Sequence, residues 1–86
     1  MYYLYILRCS DGTLYTGITT DLVRRLKEHN SSHMGAKYTQ GRRPVRLVYS
    51  KKFRTRATAS RAEAGMKALS RDGKLNIIRK QRKVIQ

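Results

Sequence analysis

The sequence predicts an α+β fold: a small three-stranded sheet, antiparallel or mixed, flanked by helices in the order β-β-α-β-α-α. Three observations lead there. A chain of 86 residues holds a single domain, spanning 1–86. Its N-terminal part consists of two short runs rich in aromatic and β-branched residues around Asp11-Gly12, the strongest short hairpin signal. Beyond them the apolar residues twice take up helical spacing, with one further alternating run between.

Each element follows from its residues. Tyr2 to Cys9 is strand one, and Ser10 to Thr13 is the turn. Leu14 to Ile18 is strand two, antiparallel to the first. Thr20 or Asp21 caps a helix to about His29, with Leu22, Val23 and Leu26 as its apolar stripe. Ser31 to Pro44 holds two glycines and the only proline, and reads as a surface loop. Val45 to Ser50 is strand three, Val45, Leu47 and Tyr49 alternating against Arg46 and Val48. Thr55 caps a helix of roughly Arg56 to Leu69, with Ala59, Ala62, Met66 and Leu69 in register. Ser70 to Gly73 breaks it. A short last helix turns Leu75 and Ile78 inward, and a basic tail covers about 80–86.

Charge narrows the partner. Twenty Lys and Arg against five Asp and Glu give +15, a field that calls for an anionic partner. Nucleic acid fits best, because neutralised phosphates release counterions. No run of roughly 18 apolar residues is present to span a bilayer. The N-terminus lacks a basic n-region and a small-residue cleavage site. A single cysteine, Cys9, forms no intrachain disulfide framework and suits a reducing cytoplasm. The expected setting is therefore cytoplasmic, without a membrane partner, and the expected state a monomer.

The chemistry available is limited by the acids. Asp11 belongs to the turn, Asp21 to a helix cap and Asp72 to the helix break, which leaves Glu28 and Glu63 within helix bodies. Such a set does not assemble a two-metal site of converging carboxylates. One Mg²⁺ or Mn²⁺ on a single carboxylate, completed by water and substrate phosphate, is feasible. Cys9, His29 and His33 match no zinc spacing. No Gly-x-Ser-x-Gly occurs. Tyrosine, arginine, histidine and one glutamate remain, and a tyrosine can serve as base if a cation lowers its pKa from about 10. Tyr3 and Tyr5 share one face of strand one, Tyr15 and Gly17 one face of strand two, and Arg25 and His29 one helical stripe.

Those residues carry a resemblance. Tyr3-Leu4-Tyr5 followed by Tyr15-Thr16-Gly17 is similar to the paired motif of the GIY-YIG nuclease superfamily. Tyr3 stands where the family has its first glycine, and Thr16 where it has isoleucine. Arg25 lies eight residues after Gly17, where the family's catalytic arginine falls. His29 follows one turn later, and Glu63 resembles the family's metal-binding glutamate. The segments "LYTGITTDLVRRL" and "GAKYTQGRRPVRLVYS" resemble the small stand-alone YhbQ-like branch.

The resemblance implies a metal-dependent endonuclease that hydrolyses nucleic-acid phosphodiester bonds, DNA in preference to RNA, with weak sequence preference and a place in DNA repair or processing. Tyr5 or Tyr15 activates water with help from His29, Arg25 stabilises the transition state, and Glu63 holds one Mg²⁺ or Mn²⁺. Gly17, Lys37, Arg42, Arg43, Arg46 and Lys67 are the expected nucleic-acid contacts. The alternative is a binding module that keeps the fold and cleaves weakly or not at all. Two departures matter: Ile18 replaces a lysine that some members carry after the glycine, and Asn76 sits one residue from an expected asparagine. Plainer explanations exist for single residues. Glu63 can pair with Lys67, or close a capping box with Ser60. The basic run from Arg42 to Arg56 can be a solvated face or a nucleic-acid track.

Overall fold

The computed structural model describes residues 1–31 and 33–85, with side chains to residue 81 apart from that gap. Three strands, β1 (Tyr2–Arg8), β2 (Leu14–Thr19) and β3 (Arg46–Phe53), form one fully antiparallel sheet in the order β2-β1-β3. Helices α1 (Leu22–Ser31), α2 (Lys37–Gln40), α3 (Arg56–Ala68) and α4 (Arg71–Ile85) complete the α+β fold.

Central β1 is covered on both sides, which is why its sequence is a nearly continuous apolar run. Leu4 and Ile6 face a cluster with Met66 of α3 and Ile78 of α4. Tyr5 and Leu7 face the other way, with Cys9, Val45 and the Leu22 and Leu26 side chains of α1. Period-two alternation thus assigns successive β1 residues to two separate cores.

The caps explain the helix starts. Asp21, not Thr20, accepts the Arg24 N–H at 3.0 Å, itself steadied by Thr19 Oγ1 at 3.1 Å. Thr55 accepts the Thr58 N–H at 3.2 Å, so α3 begins there, Ser60 is not its cap and Glu63 is mid-helix.

Several expectations need correction. Val23 is 67% exposed and lies outside the apolar stripe. The segment read as a loop contains α2, with Thr39 buried in it. In β3, Leu7 pairs with Leu47 and Ile6 with Tyr49, leaving Val48 as a bulge. Val48 and Tyr49 therefore both pack on the Leu4 and Ile6 side, and strict alternation fails. β3 also runs on to Phe53. The break before the last helix is short, because Ser70 Oγ accepts the Gly73 N–H at 3.2 Å and α4 starts at Arg71. Leu69 is the C-cap of α3 and exposed. The expected basic tail continues α4 to Ile85, while residue 86 and the side chains of 82–85 lie outside the described residues.

Candidate active site

The site begins with a missing side chain. Tyr5 and Gly17 are directly paired between β1 and β2. A Cβ on Gly17 would lie 2.6 Å from the Tyr5 hydroxyl and 2.8 Å from Cζ. Only glycine lets the phenol lie across β2. The space over Gly17, expected as a nucleic-acid contact, is filled by Tyr5.

The phenol then meets α1. Tyr5 Oη is 2.9 Å from His29 Nε2, and His29 Nδ1 is 2.9 Å from Thr39 Oγ1. The Thr39 hydroxyl lies 2.8 Å from the Ala36 carbonyl, to which it can donate. His29 and Thr39 are both 0% exposed and Tyr5 is 2% exposed. Around this row stand other rings. Tyr15 packs edge-on to His29 at 5.2 Å between centroids, and lies 6.4 Å from Tyr5 and 5.8 Å from Tyr38. The Arg42 guanidinium covers the Tyr38 ring at 4.1 Å.

Arg25 stands beside the Tyr5 phenol and is held from behind. Its Nη1 donates to Glu28 Oε1 and to the Met34 carbonyl, each at 2.8 Å. Burial alone would lower its pKa, but the Glu28 carboxylate and the Tyr5 oxygen leave it raised. Burial pushes the Tyr5 phenol up to about 12; the Arg25 guanidinium opposes this, while Tyr15 and Glu63 add to it. His29 goes down to about 4, first through burial, then through Arg25 and Arg43, with Glu28 opposing. In the resting protein the imidazole is therefore neutral and the phenol protonated.

Glu63 comes from α3, which lies along β1 and β2. Its negative charge is felt at Tyr5, but its ion pair is with Lys67 at 3.5 Å. Among the described residues no three His, Cys, Asp or Glu side chains gather as a metal cluster. One half-buried carboxylate suits a hard divalent cation whose shell is mostly water and phosphate.

Tyr5, Tyr15, Arg25 and His29 are thus brought into one cluster, while Glu63 comes from α3, whose Ala62 and Met66 pack on the Leu4 and Ile6 side of the sheet. The expected nucleic-acid contacts are scattered, and several have other work. Arg42 bridges to Asp11 at 3.0 Å and to the Tyr38 carbonyl at 2.9 Å. Arg43 donates to the His29 carbonyl at 2.6 Å and to that of Glu28 at 3.3 Å, satisfying carbonyls near the end of α1. Lys67 pairs with Glu63, while Lys37 and Arg46 are exposed. Asn76 is exposed on α4. A cleft of about 520 Å³ lies instead between α1 and the start of α3, lined by Arg24, Arg25, Arg56, Thr20, Tyr2 and Met34 among others.

Two site residues escape a reading of the sequence. Glu28 had a signal, since it stands at i+3 from Arg25 and i+4 from Arg24. Thr39 had none, because its contact depends on how the segment after α1 folds back.

Comparison with known proteins shows the family and the fold. The profile of the GIY-YIG catalytic domain matches residues 1–76. The chain is 50% identical over 82 residues to the UPF0213 protein DP2720 of Desulfotalea psychrophila, covering 95% of this chain and 74% of that one. It is 52% identical over 80 residues to the UPF0213 protein SAG0778 of Streptococcus agalactiae, covering 93% and 90%. The solution NMR structure of the UPF0213 protein BH0048 from Bacillus halodurans superposes with a TM-score of 0.58 at 49% identity, covering 91% of this chain and 83% of that one. With the three-stranded antiparallel sheet, the tyrosine pair on adjacent strands and the arginine on the following helix, these matches make the chain a member of the GIY-YIG catalytic domain family.

Proposed function

We propose that the protein is a metal-dependent endonuclease that hydrolyses phosphodiester bonds, with DNA as the preferred substrate and little sequence preference. The observation that carries this reading is the buried Tyr5–His29 hydrogen bond with Arg25 beside the phenol. Tyr5 is favoured over Tyr15 as the base because its hydroxyl, rather than its ring edge, meets His29. A water oxygen attacks phosphorus and the bond to the leaving oxygen breaks. The water proton passes to Tyr5 as the phenolic proton moves to His29 Nε2, and solvent protonates the leaving oxygen. Arg25 turns its guanidinium from Glu28 to the charge developing on phosphate. Glu63 would hold one Mg²⁺ or Mn²⁺, which when bound supplies positive charge that lowers the pKa of nearby hydroxyls. Nucleic-acid backbone runs through the Arg24, Arg25 and Arg56 cleft, with Arg46 and Lys37 as outlying contacts. No described helix is long and apolar enough to cross a membrane. The free, buried thiol of Cys9 supports a reducing, cytoplasmic setting, with the chain acting as a monomer.

One observation favours the second reading, a binding module with little or no cleavage. Tyr5 is buried with its pKa raised, and Arg25, though it lines the cleft, is paired with Glu28, so neither group is poised toward a phosphate.

Cleavage and binding assays separate the two. Supercoiled, structured and single-stranded DNA are incubated with Mg²⁺, Mn²⁺ or EDTA. The endonuclease reading expects metal-dependent cleavage that Arg25→Ala slows by roughly 10²–10³-fold, the usual size for one lost preorganised donor. Binding should change little, since one phosphate contact among many is a small part of affinity. Glu63→Ala should abolish the metal-dependent cleavage and leave affinity equal or slightly higher. Tight binding with no cleavage on any substrate selects the binding module.

A further inference from the structure

Thr39 is fully buried, polar and far from either tyrosine motif, and it touches the one imidazole in the site. We propose that Thr39 is a positioning residue that fixes His29 in the Nδ1–H tautomer, so that Nε2 remains open to the Tyr5 proton. The proposal deepens the endonuclease reading and rests on it for its catalytic consequence. The tautomer itself stands on hydrogen-bond accounting.

Only two arrangements of protons are compatible with the contacts. In the first, His29 Nδ1–H donates to Thr39 Oγ1, the Thr39 hydroxyl donates to the Ala36 carbonyl, and Tyr5 donates to Nε2. Every proton in the row then has an acceptor. In the second, Nε2–H donates to Tyr5 and Thr39 donates to Nδ1. The Tyr5 oxygen would then receive from His29, and its own proton would need a further acceptor in a site where Tyr5 is 2% exposed. A buried donor without a partner costs about 1–3 kcal/mol, so the first arrangement prevails.

The chain around Thr39 is built against His29. A Cβ on Gly35 would lie 2.6 Å from the Glu28 carbonyl and 2.9 Å from the His29 Cα, so the segment seats its bare backbone on α1 at this residue. The Thr39 N–H donates to the Ala36 carbonyl at 3.0 Å, closing the single turn of α2. Arg43 then grips the His29 carbonyl. Backbone and side chain of one histidine are held by one short segment. That is the arrangement expected where an imidazole must present a chosen nitrogen.

The test reads the tautomer directly. Imidazole nitrogen shifts are recorded by long-range ¹⁵N–¹H correlation near pH 7 on the full chain, with His33→Gln to assign the two histidines. Wild type and Thr39→Ser should show a protonated Nδ1 and an unprotonated Nε2 for His29. Thr39→Val should lose that pattern in favour of Nε2–H or a mixture. Cleavage by Thr39→Val should fall roughly 10–100-fold in kcat with KM little changed, the usual size for removing a partner that orients a functional histidine, and Thr39→Ser should restore most of it. An unprotonated Nδ1 in the wild type overturns the proposal, whether or not the valine variant folds. So does a Thr39→Val spectrum identical to wild type. The tautomer reads the same in a chain that cleaves nothing, so failure of the endonuclease reading is distinguishable from failure of this one.

Discussion

Leu4 and Ile6 leave β1 on one side, Tyr5 and Leu7 on the other, and the two faces they build differ in kind. Under α3 and α4 the contacts are aliphatic: Leu4, Ile6, Met66 and Ile78 close on each other. Under α1 and α2 apolar packing is interrupted by a polar row, Tyr5, His29 and Thr39, in which each group meets a partner. The first face can gain stability from area alone. The second requires correct protonation and orientation at each link, because low dielectric makes an unmet group expensive. A single strand thus separates an aliphatic core from the Tyr5–His29–Thr39 row, while Glu63, the proposed metal ligand, comes from α3 on the aliphatic side.

The sharpest way to break this comparison is to substitute neighbouring residues of β1. Ile6→Ala should destabilise by about 2–5 kcal/mol, the usual range for an aliphatic side chain truncated in a closed core. Tyr5→Phe keeps the ring and should cost about 1–3 kcal/mol, chiefly through the unmet Nε2 of His29, while removing cleavage. Urea unfolding at neutral pH ranks them. Equal losses would mean that the faces are not energetically different.

Acidification should act on the polar face alone. His29 is depressed from 6.5 to about 4, so between these values the unfolded chain binds more protons than the folded one. Stability is fully present above about pH 6.5 and falls as pH drops toward 4, by an amount on the order of 3 kcal/mol. Unfolding midpoints across that interval should show the fall in wild type and in Ile6→Val, and a smaller fall in His29→Gln. An undiminished slope in His29→Gln would assign the effect to carboxylates instead.

The smallest effect concerns the border between the faces, where Arg24 of α1 and Arg56 of α3 line one cleft. Arg56→Gln should weaken DNA binding a few-fold and reduce the slope of log affinity against log salt by about 0.9 for duplex, one phosphate contact. Arg43→Gln, whose guanidinium is spent on α1 carbonyls, should leave that slope nearly unchanged and cost stability instead. The reverse result would route nucleic acid past Arg43.

How far the sequence was legible follows the range of the interactions. Tyr5, Tyr15, Arg25 and His29 were readable as candidates because the resemblance to GIY-YIG nucleases singled them out, and the helix period agreed in placing Arg25 and His29 on one stripe. The β1–β2 hairpin and the caps at Asp21, offered together with Thr20, and at Thr55 were readable from local signals, whereas the place of β3 beside β1 was not. Thr39 and Arg43 were not, since their partners on α1 are met only when the chain from Gly35 folds back. The Val48 bulge was hidden because its sequence still alternates. Glu63 was legible as a mid-helix acid, but its Lys67 partner could not be distinguished from a nucleic-acid contact by composition.

One modest contact bears on the outer edge of β3. Gln81 of α4 accepts the Ser50 N–H at 3.3 Å and donates to the Ser50 carbonyl at 2.6 Å. A side-chain amide thereby occupies backbone groups in the middle of an outer strand, just where another strand would begin to pair. Lys51 and Lys52 beside it add repulsion between identical edges. The helix that closes the apolar core therefore also covers part of the β3 edge, one of the two outer edges of the sheet.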